Sequence, residues 1–493
     1  MELKEKAASG VRWNTISVVY RVILQFLRIA ILTRLLDKSD FGLVAIASMV
    51  ISFTDIFSDL GITVAIIHKQ DISDKQYSSI YWLNIIVSVI LFGLVWLSSP
   101  FIAAFYHEPI LTRIIPLLGL SILCQAFGKM FQTIKTKNLE FAFLSKVTIL
   151  TSTVGLILSI ILAALGWGVY SLVWGHVAQI ALNQLLYVLA GRKQQTILLH
   201  FNFYEIKDFV KIGAYKLGAG ILDFASSKID VFLIGRFFNM DDLGIYNLAK
   251  ELIYRPYQVL TSLVNGVAAA TFAKIQENPT SLRDYFKKML RLACTIAMPI
   301  YAVMFIFAEA IVALLYAPSF SEVAFFLRVL SIVGMLTCID GMTSPLQTSL
   351  GRTDLGFIWT TVRVVMSIVV ILIASMFTIR AVAYGQLVVA ILSYFLFYFF
   401  VTNKMVPMPL LEYMIIPSTS FFICVIIGAP FLVAILTLQL NYIWHWIFVV
   451  LFVALYALYY IRYQRSFVTS SVHLILGNKA SNTLSNLFKR FKI

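Results

Sequence analysis

Residues 14–42 read NTISVVYRVILQFLRIAILTRLLDKSDFG, and residues 216–244 read KLGAGILDFASSKIDVFLIGRFFNMDDLG. Each is an apolar run interrupted by a polar residue every seventh position: Asn14, Arg21 and Arg28 in the first, Lys216, Asp223 and Asp230 in the second. Seven residues are nearly two helical turns, so each set falls on one face of a helix. Gln25 and Ser227 lie between them on the same side. Both runs close on a similar turn, Arg34 to Gly42 and Arg236 to Gly244, at one offset of 202. A second registration, at offset 215, aligns Arg113, Gly119, Gln132 and Thr133 with Arg328, Gly334, Gln347 and Thr348. Trp174-Gly175 and Tyr384-Gly385 add a looser third. Three registrations in the same order predict a duplicated six-helix unit.

The surrounding composition puts these helices in a membrane. The 493 residues are 60% hydrophobic and 13% charged, with mean hydropathy +0.88; a soluble domain carries about 25% charged residues. Hydropathy predicts fourteen spans, about 11–35, 41–62, 79–98, 111–131, 145–165, 169–190, 212–235, 243–270, 292–315, 324–349, 357–377, 381–402, 413–437 and 442–462. The expected fold is an all-α polytopic membrane protein. Two parallel six-helix lobes form a V-shaped body, 1–200 and 201–405, joined by two extra C-terminal helices within 406–465. A tail, 466–493, ends in a short amphipathic helix, Leu484–Ile493. Because six is even, both copies keep one orientation, which sets a substrate path between the lobes. An outer-membrane barrel is excluded by the long apolar runs.

The net charge of +15 is a topology signal, not a nucleic-acid footprint. With the N-terminus inside, the inner segments hold Lys69, Lys75, Lys135, Lys137, Lys146, Arg192, Lys193, Lys207, Lys211, Lys274, Arg283, Lys287, Lys288 and Arg291, among others; the outer loops hold Lys38, Arg113 and Arg380. Both termini are therefore expected in the cytoplasm. The N-terminus is not read as a cleaved signal. No loop exceeds about twenty residues (Gly191 to Lys211), which counts against an extramembrane catalytic domain. The four cysteines lack CxxC spacing and the six histidines stand singly, so no metal or cofactor is expected.

Ionisable residues within spans cost several kcal/mol against lipid and are functional candidates by default. The second span places Ser48, Ser52, Asp55 and Asp59 on one face. The eighth places Asn247, Glu251, Tyr254, Gln258, Ser262 and Asn265 on one face, beside Arg255-Pro256. Four polar faces, from the first two helices of each half, line one water-filled cavity most economically. The residues read as substrate-binding are Asn14, Arg21, Gln25, Arg28, Lys216, Asn247 and Gln258. Those read as gating or coupling are Asp55, Asp59, Asp223, Asp230, Glu251 and Arg255. The competing reading makes Arg21, Arg28, Asp223 and Asp230 lobe-to-lobe ion pairs, and Asp55 with Asp59 and Glu251 with Arg255 local contacts. Lys129 is read as snorkelling and His176 as a buried hydrogen-bonded residue.

These features, with the N-terminal GVRW (Gly10 to Trp13), the R-L-L-x-x-x-D-F-G turn (Arg34 to Gly42) and Phe57-Ser58-Asp59-Leu60-Gly61, resemble the polysaccharide exporters of the multidrug/oligosaccharidyl-lipid/polysaccharide (MOP) superfamily. The similarity is greatest to the branch of colanic acid, teichuronic acid and O-antigen (Wzx-type) flippases. It implies translocation of an undecaprenyl-diphosphate-linked oligosaccharide between leaflets of the bacterial inner membrane by rocking of two lobes, with Arg21 and Arg28 in the cationic cavity that accepts diphosphate. Asp223 and Asp230 depart from a purely cationic lining. The resemblance implies a non-enzymatic monomer working beside membrane lipids and the polymerase and export components of one pathway, without nucleic acid. A drug antiporter of the superfamily and, in another class, a membrane-embedded polysaccharide polymerase are the alternatives; the arginines and the short loops weigh against them. The topology has a direct check. Cysteines placed at Lys38 and Arg380 should react with an impermeant thiol reagent in intact spheroplasts, and those at Lys193 and Lys274 only after permeabilisation.

Overall fold

In the computed structural model, described at residues 2–59, 72–438 and 441–465 and at 66, 467 and 469, every regular element is a helix. Fourteen are long: α1 Glu2–Leu32, α2 Lys38–Asp59, α3 Asp74–Tyr106, α4 Leu111–Lys137, α5 Phe141–Ala164, α6 Val169–Gly191, α7 Lys207–Phe237, α8 Met240–Ile275, α9 Pro279–Ile306, α10 Val323–Gly341, α11 Thr353–Ser375, α12 Ile379–Phe397, α13 Leu410–Leu438 and α14 Tyr442–Tyr463. Twelve helices are long and apolar enough to cross a membrane. The other two, α7 and α8, have 31 and 36 residues, ample for a bilayer at about 1.5 Å per residue. They carry the charged stripes that depress their hydropathy, so fourteen spans are compatible with the fold. The 484–493 amphipathic segment lies outside the described residues.

Two expected spans are broken. The ninth stops at Phe307, and a short helix, Ala308–Leu315, follows. The tenth stops at Gly341 and resumes as Ser344–Ser349, with Pro345 opening the second piece. Proline has no N–H to continue the upstream helix, so the chain turns through Met342 and Thr343. Elsewhere local chemistry sets the ends: Ser73 and Gln76 form a capping box before α3, and Asn278 caps α9 ahead of Pro279.

The chain forms two compact units, Met1–Asn247 with Leu315–Phe320, and Leu248–Leu314 with Ser321–Ile493. In the first, α4 packs on α3, α6 and α2, α5 packs on α6, α1 lies on α5, and α7 lies on α2. In the second, α10 packs on α9 and α12, and α11 packs on α12. The order α3–α4–α6–α5 is thus repeated as α9–α10–α12–α11, the adjacency that a duplicated sequence dictates. The C-terminal pair is held to α9: Glu412 receives Lys287 Nζ at 2.9 Å and also meets Arg283. Above that pair, Tyr456 donates to the Thr295 carbonyl at 3.1 Å and the Ser420 and Tyr460 hydroxyls bond at 2.9 Å. Large apolar side chains such as Trp96, Leu97 and Phe101 remain exposed, as a lipid-facing surface requires.

Within the first unit the two repeated turns grip one another. A Cβ on Gly42 would collide with the Met240 carbonyl oxygen, and one on Gly244 with the Lys38 carbonyl oxygen. Both pairs are exchanged by the offset of 202, since 38 + 202 is 240 and 42 + 202 is 244. Only glycine lets the starts of α2 and α8 approach backbone to backbone. The caps beside them use opposite halves of a capping box: the Asp37 N–H donates to Asp40 Oδ2 at 3.1 Å, and the Asp242 N–H to Asn239 Oδ1 at 2.7 Å. Gly42→Leu and Gly244→Leu should each cost about 1–3 kcal/mol by overpacking and lower the melting temperature of the detergent-solubilised protein. Gly93→Ala, where a Cβ meets nothing within 4 Å, should leave it unchanged.

Candidate functional site

The first unit gathers most of the predicted polar residues on α1, α2 and α7, and adds partners from α4 and α6. On α1, Asn14 and Arg21 are exposed while Gln25 and Arg28 are half-buried. The helix is fixed to α5 by a 2.8 Å hydrogen bond between the hydroxyls of Tyr20 and Thr153. Lys146 of α5 covers the Trp13 ring at 5.2 Å. Arg21 is close enough to α6 to act electrostatically on Tyr187, and Arg28 to act on His176. The seven-residue spacing therefore places both guanidiniums along the same neighbour, about 10 Å apart by helical rise. The α5–α6 seam behind them is itself polar, with Gln179 donating to Ser152 at 3.2 Å and Asn183 to Thr151 at 3.1 Å.

On α2, Asp55 turns to α4. Gln125 Nε2 donates to Asp55 Oδ1 at 3.5 Å, and the Lys129 ammonium acts on the same carboxylate. Half-buried Asp55 is thus engaged from another helix, by Gln125 directly and by Lys129 electrostatically. The Asp59 side chain lies outside the described residues. Gln125 and Lys129 were missed as a site feature although their i,i+4 spacing marks a polar face on an otherwise apolar span.

On α7 the two acids separate. Asp230 is buried, 6% exposed, and accepts the Tyr246 hydroxyl of α8 at 2.7 Å and the Val231 N–H at 2.8 Å. Asp223 is exposed and makes no hydrogen bond or ion pair among the described residues. The helix sits on α2 through Phe224 against Phe53, ring centroids 5.2 Å apart, and through the close approach of Gly220 to Ile56. The Lys216 side chain lies outside the described residues. At the end of α7, Arg236 bonds His107 Nδ1 at 2.9 Å and stacks over Phe105.

Asn247, on α8, is half-buried and closes the first unit. In the second unit, Arg255 Nη1 donates to Gln258 Oε1 at 3.1 Å, one turn along the same face, while Glu251 is half-buried. Cationic Arg21, Arg28 and Lys129 thus share the first unit with exposed Asp223. Such a set can hold an anion by charge-assisted hydrogen bonds while hydroxyls and amides meet neutral polar groups. No group of three or more metal-ligating side chains occurs among the described residues.

Residues 31–325 match the family model described as polysaccharide biosynthesis protein. The chain is 28% identical over 357 residues to the teichuronic acid biosynthesis protein TuaB of Bacillus subtilis (strain 168), covering 72% of this chain and 74% of that one. It is 26% identical over 400 residues to the lipopolysaccharide biosynthesis protein WzxC of Escherichia coli (strain K12), covering 81% of each. Among solved structures, the lipid II flippase MurJ in an inward closed conformation superposes with a TM-score of 0.74 at 14% identity, over 92% of this chain and 99% of that chain; at that identity the likeness is one of fold.

The Asp230–Tyr246 pair gives the site a stability test. Tyr246→Phe removes the donor and leaves a buried carboxyl short of one hydrogen bond, a loss of about 1–3 kcal/mol that thermal unfolding should register. Asp223→Asn, at an exposed position, should leave the melting temperature within measurement error.

Proposed function

The chain belongs to the polysaccharide biosynthesis protein family, in the polysaccharide exporter branch of the MOP superfamily, and we propose that it flips undecaprenyl-diphosphate-linked oligosaccharide across the bacterial inner membrane. Movement runs from the cytoplasmic to the periplasmic leaflet, for assembly of a surface polysaccharide. The family and its relatives are transporters and biosynthesis proteins without a catalytic role of their own in bond making. The observation that carries the reading is the α1 stripe, with Arg21 and Arg28 at a seven-residue spacing against a polar face of α6.

The chemistry follows from the cargo. A diphosphate leaving water for a low-dielectric cavity must exchange hydration for fixed positive charge, and the planar guanidinium fork matches two phosphate oxygens at once. Arg21 and Arg28 hold the diphosphate; Lys129 adds a third cation, with Asp55 and Gln125 fixing its position. Asn14, Gln25 and, on the second polar helix pair, Lys216, Asn247 and Gln258 meet sugar hydroxyls and phosphate. Asp223, unpaired within the described residues, repels the diphosphate and accepts hydroxyl donors, which sets the sugar apart from the phosphate along the path. Asp230, Glu251, Arg255, Asp55 and Asp59 act in gating as two lobes rock about the bound head group. The polyprenyl tail stays in the bilayer and needs no charged site. Polymerase and export proteins of the same pathway take the product, and both termini remain in the cytoplasm.

Arg21→Ala and Arg28→Ala should each abolish surface polysaccharide while the protein inserts at normal level, with lipid-linked repeat units accumulating on the inner leaflet. Arg21→Lys and Arg28→Lys should retain part of the output, since a lysine supplies charge without the bidentate fork. Full polysaccharide from both alanine variants, read by gel and by mass analysis of lipid-linked intermediates, contradicts the assignment.

A further inference from the structure

Two stretches that finish a span read alike. Ala103-Ala-Phe-Tyr106 ends α3, and Ala313-Leu-Leu-Tyr316 runs out of the short helix Ala308–Leu315. Both tyrosines are buried, 6% and 1% exposed, and each leads onto the other repeat. Tyr106 packs on Gly235 of α7, where a Cβ would stand 3.0 Å from the ring, and its hydroxyl reaches the Phe232 carbonyl at 3.5 Å. Ala317, next after Tyr316, donates its N–H to Thr33 Oγ1 beyond the end of α1 at 3.3 Å. Thr33 and Gly235 are one position of the repeat, since 33 + 202 is 235. The ends of α1 and α7 are thus each met by a loop of the opposite copy.

The two loops differ in their tethers. Tyr106 and Gly235 lie in one compact unit, with all of α3 and α7. Leu315–Phe320 belongs to that unit too, but Leu248–Leu314 before it and the chain from Ser321 after it belong to the second. Six residues are therefore seated in the first unit and tied at both ends to the other. Aromatic burial seats them. Phe320, 1% exposed, meets Phe41 of α2 edge to face, with ring centroids 5.7 Å apart and planes at 88°, and Tyr316 stands 6.3 Å from Phe320. Pro318 opens a single 3-10 turn, closed by the Phe320 N–H on the Ala317 carbonyl at 2.9 Å, which folds the segment back on itself. The Thr33 hydroxyl donates its proton to the Ile29 carbonyl at 2.9 Å, so its lone pairs are left for the Ala317 N–H.

We infer that Leu315–Phe320 is a clasp on the outer ends of α1 and α2. While it is seated the outer face stays shut, and opening that face withdraws Phe320 from Phe41 and Ala317 from Thr33. The inference rests on the transport reading and the orientation proposed above. A segment buried in one unit and tied at both ends to the other cannot stay buried when the two move against each other, so the seat either breaks or forbids the movement. Its strength suits a seat that breaks and re-forms. The segment reads LYAPSF and carries no charge, so it is held by one neutral hydrogen bond and aromatic contacts, neither dependent on salt. The equivalent seat at Gly235 keeps both partners in one unit, and no release is required there.

The test closes the clasp covalently. With the native cysteines replaced by alanine, Thr33→Cys and Ala317→Cys should join on oxidation, because the two residues already meet at 3.3 Å. Gln25→Cys, on the polar face of α1, then reports outward opening through an impermeant thiol reagent in spheroplasts, read at that residue by peptide mass analysis. Oxidation of the pair should lower this labelling about tenfold, and reductant should restore it; either partner alone should show no change. In the chain that keeps Gln25, the same oxidation should stop surface polysaccharide. Phe320→Ala, without the pair, should raise the labelling about threefold by loosening the seat. The labelling needs no cargo, so labelling lost on oxidation with polysaccharide unchanged upholds the clasp and counts against the transport reading. Labelling that persists in the cross-linked protein, failure of the pair to join, or labelling of Phe320→Ala no greater than its parent overturns the clasp. Should the cysteine-free chain fail to insert, Phe320→Ala with Gln25→Cys in the chain with its native cysteines decides alone.

Discussion

An arginine cannot face hydrocarbon cheaply, and two of them seven residues apart on one helix cannot escape to the interface together. That single constraint organises the first half of the molecule. It sets Arg21 and Arg28 along α6, within electrostatic reach of Tyr187 and His176. It also requires the neighbours to be polar, and they are: the α5–α6 seam is joined through Ser152, Gln179, Thr151 and Asn183, and α4 offers Gln125 and Lys129 to Asp55.

Duplication supplies the second layer of order. The glycine turns at Gly42 and Gly244, equivalent at the offset of 202, meet by reciprocal contact. The close approach leaves no room for a side chain, so the helix starts are locked in register by backbone sterics instead of by a salt-sensitive ion pair. Where the copies diverge, chemistry has been inserted. Arg21 and Arg28 correspond to Asp223 and Asp230, Asp55 to Tyr257, and Gln125 to Asp340, so a shared frame carries different charges at equivalent positions.

The span limits, the repeat and the polar stripes were legible in the residues because each is a one-dimensional signal: hydropathy over about 20 positions, identity at a fixed offset, and charge at a helical period. The partners were not. Asp55 accepts a hydrogen bond from Gln125, seventy residues away. Asp230 accepts the Tyr246 hydroxyl across the α7–α8 turn, a partner that no spacing along α7 announces. The breaks at Phe307 and Met342 escaped a hydropathy reading because both sides of each break are equally apolar, although Pro345 marked the second.

By itself the sequence determined that this is a bundle of membrane helices with an internal repeat and that four of them carry polar faces, since burial cost and helical period act along the chain. Only the tertiary structure decided which charge meets which neighbour, that Gly42 and Gly244 close on each other, and that Oδ1 of half-buried Asp340 is shielded with no hydrogen-bond partner among the described residues. The physical reason is that an ionised or hydrogen-bonding group inside a bilayer must be satisfied by whatever the packing brings within a few ångströms, and packing distance bears no relation to distance along the chain.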